Sequence, residues 1–437
     1  MDKEGIPLYL ISLMGCFFNR SCIMSILKGA CIIGQSGGPT SVINASARGV
    51  IETALKEENI TQVLAAENGI LGILEDRLFD CGLEDPKELE CLSGTPSSSL
   101  GSCRYKLKDS DVDETDYKRI LEIFKKYNIR YFFYNGGNDS MDTCNKVSKY
   151  MQKVGYECRV MGVPKTIDND LAGTDHCPGF GSAAKYIATS IAEASLDAKV
   201  YGSGGPIVVF EIMGRNAGWL AASSALANLI GEGPDLIYLP EVPFDMDQFL
   251  ADVDRVREEK GGCIVAVSEG IHDKDGVFIS EYGSDLAKTV DAFGHSQMGG
   301  LASTLANRIK EHTGAKVRGI EFSLLQRSGA HCASGVDLDE AYRVGEAAVN
   351  AAVNGETDKM IALKRADSAE YHCDCVAVPL SEAANAERKV PLEWMNAEHN
   401  GLNEKFYEYA LPLIQGETLQ KTENGLPRFA HLKKIHP

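Results

Sequence analysis

Residues 159–170 read RVMGVPKTIDND, and this stretch carries the pattern that decides the fold. Residues 159–163 are mostly apolar and form a run of the length expected for one buried β-strand. The seven residues that follow begin with a proline and are mostly polar or charged, so they predict a loop. In open parallel sheets, ligands bind beyond the carboxyl ends of the strands. The stretch therefore predicts a core strand that ends in a ligand-binding loop.

The same alternation of strand, loop and amphipathic segment recurs along the chain. Further strands are predicted at residues 30–34, 63–66, 131–134, 207–212, 236–239 and 263–267. Amphipathic helices are predicted between them at residues 116–127, 182–194 and 246–260. This order is typical of an α/β protein in which a mainly parallel sheet has helices on both faces.

Length, composition and charge narrow the class of protein. A chain of 437 residues is long enough for two or three domains, each with its own core. Its 44% hydrophobic and 24% charged residues argue against both a disordered chain and a membrane bundle. A formal net charge of -18 disfavours nucleic acid and anionic membranes as partners. If the substrates are anions, basic residues must be concentrated around them.

The cysteines and the N-terminal residues are informative about the cellular compartment of the protein. Thirteen cysteines, an odd number without paired spacing, indicate reduced thiols and a cytoplasmic protein. The apolar run at residues 6–18 is too short to span a bilayer. Because the first strand begins shortly after Met24, residues 1–23 are predicted to be a dispensable extension.

Two loops have features of phosphate-binding sites. The first strand is followed by GQSGGPT at residues 34–40, where adjacent glycines before a helix let backbone N–H groups approach an anion. The second loop, SSSLGSCRYK at residues 97–106, combines hydroxyl donors with Arg104, which can hold a phosphate through two parallel hydrogen bonds. In the structural alternatives, the first loop is a turn needed only for packing, and the second is a flexible serine linker.

A third loop, NGGNDS at residues 135–140, adds a carboxylate to such a glycine pair. Asp139 beside a phosphate requires magnesium or a lysine to offset its charge. In the structural alternative, Asp139 caps the helix that follows.

The fourth loop, PKTIDND at residues 164–170, predicts the chemistry. Asp168 and Asp170 flank an asparagine, so one can act as a general base on a hydroxyl while the other faces a metal. Lys165 supplies a cation for the phosphoryl group or its leaving group. Two carboxylates this close would repel each other without a ligand.

PKTIDND resembles the catalytic signature of the phosphofructokinase family. Between Met24 and His331 the motifs SGG, LGSCR, GGNDS, PKTIDND, MGR (213–215), SEG (268–270) and QR (326–327) follow in the family's order. The resemblance implies two Rossmann-like three-layer domains with the active site in the cleft between them. It implies a donor-phosphate domain of residues 24–179 and 327–375, a sugar-phosphate domain of residues 180–326 and 376–437, and a homo-oligomer, either a dimer or a tetramer.

The resemblance also implies roles for individual residues. Asp168 resembles the base that deprotonates the sugar 1-hydroxyl, with Lys165 and Asp139 completing the catalytic set. The residues expected at the diphosphate are Gly37, Arg104, Gly137 and Lys165. Those expected at the sugar phosphate, besides Asp168, are Thr166, Ile167, Asp170, Met213, Gly214, Arg215, Glu269, Arg318, Leu324 and Arg327. Magnesium is the expected cofactor, held by Asp170 and by Asn138, where the family often has an aspartate.

Two residues indicate diphosphate rather than ATP as the donor. The ATP-dependent branch typically has glycine where this chain has Asp139 and Lys165. A carboxylate at Asp139 would lie where an α-phosphate must sit, and two such anions repel by several kcal/mol. Lys165 can reach the phosphate that leaves. The pair resembles the pyrophosphate-dependent branch, which implies reversible phosphorylation of fructose 6-phosphate in glycolysis or gluconeogenesis.

Two departures from the family pattern allow more than one sugar phosphate as the substrate. Leu324 stands where a histidine or tyrosine usually contacts the sugar phosphate, and Pro206 stands where many relatives have a basic residue. A seven-carbon substrate such as sedoheptulose 7-phosphate is therefore an alternative. Two other functions are an ATP-dependent phosphofructokinase and a non-catalytic subunit that senses sugar phosphates. A silent subunit would be expected to lose its base, yet Asp168 and Arg215 are present.

Overall fold

The computed structural model describes residues 27–200, 205–283, 300–383, 387–418 and 420–437. The predicted extension, residues 1–23, lies outside them. The first sheet contains seven strands, β1 (Gly29–Gln35), β2 (Ile60–Ala66), β3 (Leu78–Asp80), β4 (Ile129–Gly136), β5 (Arg159–Pro164), β10 (Lys359–Arg365) and β11 (Cys373–Pro379). The second contains four, β6 (Ile207–Ile212), β7 (Leu236–Tyr238), β8 (Cys263–Ser268) and β9 (Val317–Glu321). A two-residue pair, β12 (Thr422–Glu423) and β13 (Leu426–Pro427), lies near the C-terminus.

Both larger sheets are mainly parallel, as the sequence predicts. The first has the order β11-β10-β5-β4-β1-β2-β3, and only the outer strands β3 and β11 pair antiparallel. The second has the order β7-β8-β6-β9, with every pair parallel. All seven predicted strands are present, each within a few residues of its predicted bounds.

Helices connect the strands. They are α1 (Ile43–Ala54), α2 (Ile70–Leu74), α3 (Pro86–Cys91), α4 (Thr115–Lys126), α5 (Asn138–Lys153), α6 (Phe180–Lys199), α7 (Trp219–Ser223), α8 (Met246–Lys260), α9 (Leu301–Thr313), α10 (Leu325–Ser328), α11 (Gly335–Val353), α12 (Leu380–Ala383) and α13 (Glu404–Ala410). The three predicted helices correspond to α4, α6 and α8.

Each sheet is buried on both faces because alternate strand residues point to opposite sides. In the first sheet Ile32 and Phe132 pack toward α4 and α5, whereas Ile33 and Phe133 pack toward α1 and α11. In the second sheet one face packs against α6 and α7, and the other packs against α8 and α9. The predicted fold of three-layer units is confirmed.

Helices α1 and α11 cross at two glycines. A Cβ on Gly49 would lie 2.1 Å from the Tyr342 carbonyl oxygen, and a Cβ on Gly345 would lie 2.1 Å from that of Ser46. Any side chain at either position would therefore push the two backbones apart. This contact fixes α1, the helix that follows the first glycine loop, against α11.

The C-terminal tail returns to the first sheet, in contrast to the predicted assignment of residues 376–437 to the second unit. Glu84 accepts hydrogen bonds from the backbone of Lys433 (2.8 Å) and Lys434 (2.7 Å). Strand β11 also belongs to the first sheet, because it forms an antiparallel pair with β10. The other predicted domain boundaries stay a prediction.

Within the part of the chain that the structure describes, no helix is long and apolar enough to cross a membrane. The described cysteines are free thiols, and most of them are buried.

Candidate active site

The four predicted loops meet at the carboxyl end of the first sheet. Lys165 Nζ donates a hydrogen bond to the carbonyl oxygen of Gly38 (2.6 Å), which joins the first and fourth loops. Ser102 Oγ donates to the carbonyl oxygen of Gly37 (2.6 Å), which adds the second loop. The backbone N–H of Lys165 donates to the carbonyl oxygen of Gly136 (3.0 Å), which adds the third. Segments separated by about 130 residues in sequence thus form one site.

Three cations gather beside the glycine pair. Lys165 is almost fully buried, and the Gly38 backbone lies beside Arg327, whose Nη1 would be 3.1 Å from a Cβ at that position. Burial, with smaller contributions from the charges of Arg327 and Arg104, lowers the pKa of Lys165 to about 8, although Asp168 acts in the opposite direction. Burial and Arg104 also lower the pKa of Arg327. Such mutual repulsion between cations is relieved when an anion lies among them.

The two aspartates of the fourth loop differ in environment. Burial raises the pKa of Asp168, while Lys165 and Arg327 act in the opposite direction. Burial and then Asp168 raise the pKa of Asp170 to about 7. Thr166 Oγ1 accepts a hydrogen bond from the backbone N–H of Asp168 (3.2 Å), which steadies the turn. Asp168 therefore has cationic neighbours that favour its charged form, as a base requires.

Asn138 and Asp170 provide oxygen donors suited to a divalent cation. Asn138 Nδ2 donates to Asp170 Oδ2 (3.1 Å), and Asn138 Oδ1 is buried without a hydrogen-bond partner. Amide and carboxylate oxygens are the ligands that hard divalent cations prefer. The orphaned oxygen beside a carboxylate whose pKa is raised fits the predicted metal position.

Asp139 lies half-buried in the first turn of α5, directly after Gly137 and Asn138. Its carboxylate does not cap this helix: the N-cap residue is Gly137, and no side chain caps the first turn. The alternative of a structural cap is thus not supported. A carboxylate in the first helical turn is favoured by the helix dipole.

The second sheet contributes the opposite wall. Glu269, after β8, accepts a hydrogen bond from the backbone N–H of Gly214, after β6 (3.4 Å). Gly214 has φ +139, and a Cβ there would lie 2.7 Å from the carbonyl oxygen of Ala217, so glycine is required. Burial and then Asp168 raise the pKa of Glu269 to about 7. This effect of Asp168 on Glu269 indicates that the MGR and SEG motifs face the same cleft as the fourth loop.

Three residues predicted to bind substrate lie elsewhere than in the cleft wall. The Ile167 side chain is buried in the core beneath the second sheet, so only its backbone can face a ligand. Arg318 is exposed on β9, at one edge of the second sheet, and Leu324 is exposed after that strand. Within this chain, the side chain of Ile167 cannot make the predicted contact because it packs against apolar neighbours.

A C-terminal segment that the sequence pattern did not predict also reaches the site. Glu387 pairs with Leu171 in an antiparallel bridge, and its carboxylate accepts a hydrogen bond from Asn216 Nδ2 (2.7 Å). It joins the end of the fourth loop to the residue after the MGR motif. The charge of Glu387 contributes to the raised pKa values of Asp168 and Asp170.

Beneath the fourth loop lies a buried cluster in which Asp175, His176 and Cys373 are close enough to suggest a metal site. However, His176 Nδ1 faces Asp175 (2.9 Å) and Nε2 faces Glu340 (2.7 Å). Burial opposes protonation, but these two carboxylates raise the pKa of His176 to about 9. Since Arg365 also pairs with Asp175 (3.0 Å), the charges balance without a metal ion.

Comparison with known proteins agrees with the geometry. The family model described as Phosphofructokinase matches residues 30–352. A pyrophosphate--fructose 6-phosphate 1-phosphotransferase of Halomonas elongata is 46% identical over 92% of this chain and 95% of its own length. One of Xanthomonas campestris pv. campestris is 45% identical, covering 93% and 97%. The crystal structure of a pyrophosphate-dependent phosphofructokinase from Nitrosospira multiformis has a TM-score of 0.84 at 41% identity, covering 93% of this chain and 97% of that one. With this profile match over most of its length and the motifs gathered in one cleft, the chain belongs to the phosphofructokinase family.

Proposed function

We propose that this protein transfers a phosphoryl group from diphosphate to the 1-hydroxyl of fructose 6-phosphate, forming fructose 1,6-bisphosphate and phosphate. The observation that carries the proposal is the buried Lys165 beside Gly38 and near Asp168, with Arg104 and Arg327 around it. This arrangement suits a compact, highly charged donor. The names of the relatives with 45–46% identity support the same donor and acceptor.

In this mechanism Asp168 accepts the proton of the sugar 1-hydroxyl as its oxygen attacks the nearer phosphorus of diphosphate. The bond from that phosphorus to the bridging oxygen breaks, and phosphate leaves. Lys165, Arg104 and Arg327 stabilise the negative charge on the donor and on the leaving phosphate. Met213, Gly214, Arg215 and Glu269 hold the sugar phosphate.

Asp170 and Asn138 would hold a divalent cation, which we propose is Mg²⁺. When bound, this cation neutralises charge on the diphosphate oxygens. The orphaned Asn138 Oδ1 and the Asp170 carboxylate are the oxygen donors for it. Thr166 acts by supporting the turn at Asp168 and by offering its hydroxyl to the sugar.

We further propose that the active form is a homo-oligomer, a dimer or a tetramer, in the cytoplasm. Arg318 is exposed on β9, and Leu324 and Leu325 beyond that strand are more than half exposed. An edge strand that is followed by exposed leucines is suited to contact with a second copy of the chain. Arg318 would then face the partner's cleft. The free thiols fit a reducing compartment.

The proposal is tested by assaying the purified protein with Mg²⁺ and fructose 6-phosphate, and with either diphosphate or ATP as donor. We expect fructose 1,6-bisphosphate only with diphosphate, and a donor preference of at least about 100-fold, since a buried repulsion of a few kcal/mol has that effect. Comparable turnover with ATP would support the ATP-dependent alternative. Sugar-phosphate binding without turnover would support a silent subunit.

The pH dependence of the free enzyme is expected to report on Lys165. Because the pKa of Lys165 is lowered to about 8, its charge is present at neutral pH and is lost as the pH rises through that value. We therefore expect kcat/KM for diphosphate to fall above about pH 8. In Lys165→Arg the side chain stays charged at this pH, so the fall caused by loss of this charge should disappear. Diphosphate itself also titrates, but its contribution to kcat/KM is the same for both proteins. A fall of equal size in the arginine variant would exclude Lys165 as its cause.

The exposed Leu324 and the buried Pro206 provide no basic or aromatic group for the distal phosphate of the sugar. We therefore expect weak discrimination between fructose 6-phosphate and sedoheptulose 7-phosphate. Their kcat/KM values should differ by less than about 1000-fold, roughly 4 kcal/mol in transition-state stabilisation. A larger preference for the six-carbon sugar would show that other residues define the length of the site.

A further inference from the structure

Asn169 has an unusual backbone conformation between the two aspartates of the fourth loop. Its φ is +55, in the left-handed region, and it is completely buried. Left-handed geometry is tolerated by asparagine better than by most residues but still needs support from its surroundings. Because Asn169 joins Asp168 to Asp170, its backbone angles set the directions of both carboxylates.

The side chain of Asn169 is anchored at both ends. Its Oδ1 accepts a hydrogen bond from the backbone N–H of Cys177 (2.9 Å), and its Nδ2 donates to the hydroxyl of Tyr409 (2.8 Å). The first contact is local, whereas Tyr409 lies on α13, 240 residues further along the chain. The distant anchor depends on how the C-terminal segment packs.

Tyr409 is itself held in place by a complete set of hydrogen bonds. Its hydroxyl donates to the carbonyl oxygen of Asp175 (3.0 Å) and accepts from Arg388 Nη2 (2.8 Å) as well as from Asn169. Its ring stacks near Phe180 and contacts Trp219 in the core of the second sheet. The hydroxyl therefore has one donor and two acceptor positions in use, so its direction is fixed.

Arg388 fixes the same loop at a second point. Its backbone N–H donates to the carbonyl oxygen of Asp170 (2.8 Å). Its guanidinium lies 4.3 Å from the centre of the Trp219 ring and also donates to the carbonyl oxygens of Thr174 and Asp175. Residues 169–175 are thus bound from one side by two residues that follow residue 380.

We infer that Tyr409 and Arg388 are positioning residues, which hold Asn169 and Asp170 so that the Asp168 carboxylate faces the sugar 1-hydroxyl. This inference rests on the proposed function of Asp168 as the base. The hydrogen bonds described for both side chains go to this loop and to each other, so both act through the loop. Correct orientation of a base within a few tenths of an ångström governs the rate of proton transfer.

The test removes one oxygen atom. Tyr409→Phe keeps the ring packing and loses the hydroxyl, so we expect kcat to fall about 10-fold while KM for both substrates changes less than about 3-fold. Tyr407→Phe is the matched control, because Tyr407 lies on the same helix and its hydroxyl is near Asn228, away from the fourth loop. Its kcat should stay within about 2-fold of that of the unmodified protein, because substitutions away from such contacts have small effects.

A double-mutant cycle with Asp168→Asn separates positioning from a general loss of stability. If Tyr409 acts by placing Asp168, its removal should have an effect of less than about 2-fold when Asp168 is already asparagine. An equal loss in both backgrounds, or a kcat of Tyr409→Phe close to that of the unmodified protein, would overturn the inference.

Arg388→Lys is a second variant should the first fail to fold. It keeps the charge and the backbone bond to Asp170 and loses the bond to the Tyr409 hydroxyl, so we expect a fall in kcat of about 3-fold that again vanishes with Asp168→Asn. An undiminished kcat would contradict the inference. Absence of diphosphate-dependent activity in the unmodified protein would instead refute the proposed function, so the two failures are distinguishable.

Discussion

Asp168→Asn is expected to lower kcat by about 100- to 10,000-fold, the range that a positioned general base contributes. Asparagine has the same shape as aspartate, so the turn at Thr166 Oγ1 and the packing of the loop should persist. Substrate binding should persist as well, because the groups that hold the two phosphates are unchanged. Calorimetric titration with fructose 6-phosphate and steady-state kinetics with diphosphate would measure the two effects separately.

A surface aspartate is the control for this substitution. The side chain of Asp111 is 84% exposed and pairs only with Lys153 among the described residues. Asp111→Asn should leave kcat within about 2-fold, as expected for an exposed ion pair. If Asp168→Asn retained activity within a few-fold of the unmodified protein, Asp168 could not be the base, and another group in the cleft would have to accept the proton.

Asp139 and Lys165 are expected to select the phosphoryl donor, and the change in donor use on their substitution is the second large effect. Lys165→Gly should lower diphosphate turnover about 10- to 100-fold, because it removes a charge-assisted hydrogen bond worth roughly 1.5–3 kcal/mol. It should not create ATP activity, since the Asp139 carboxylate stays in place. Asp139→Gly should open space for an α-phosphate, so ATP turnover should appear first in that variant.

The combination of the two substitutions provides a further check. Both residues face the same phosphates, so their effects on diphosphate turnover should not be additive. Lys165→Arg, which keeps the charge, is the control for Lys165→Gly and should retain most of the diphosphate turnover. An Asp139→Gly protein that is folded and active with diphosphate but still excludes ATP would show that this carboxylate does not select the donor.

Much of the fold could be predicted because local signals were strong. The apolar strands β1, β4 and β5 each end in a polar loop, and this pattern alone indicates the parallel sheet and the edge at which ligands bind. Strand β9 was missed because it is partly exposed at an edge of the second sheet, where its residues carry little apolar periodicity. Strands β10 and β11 were missed because each has only a short apolar run beside charged residues, MIAL between lysines in β10 and CVAV after Asp374 in β11.

The candidate site was predictable wherever a loop concentrated unusual residues, as at Lys165 and Asp168. It was not predictable where a side chain reaches the site by tertiary packing. Glu387 contacts Asn216 across 171 residues of sequence, and Tyr409 contacts Asn169 across 240. Isolated tyrosines, arginines and glutamates of this kind look like ordinary surface or core residues until the fold brings them together.

Transfer of the phosphoryl group from diphosphate to the sugar can be followed directly. Purified protein would be incubated with Mg²⁺, diphosphate and fructose 6-phosphate, and the reaction would be followed by phosphorus NMR. We expect the diphosphate signal to decrease while orthophosphate and a sugar 1-phosphate signal increase together in equal amounts. Orthophosphate that appears without the sugar 1-phosphate signal, or diphosphate that remains intact while added ATP is consumed, would contradict it.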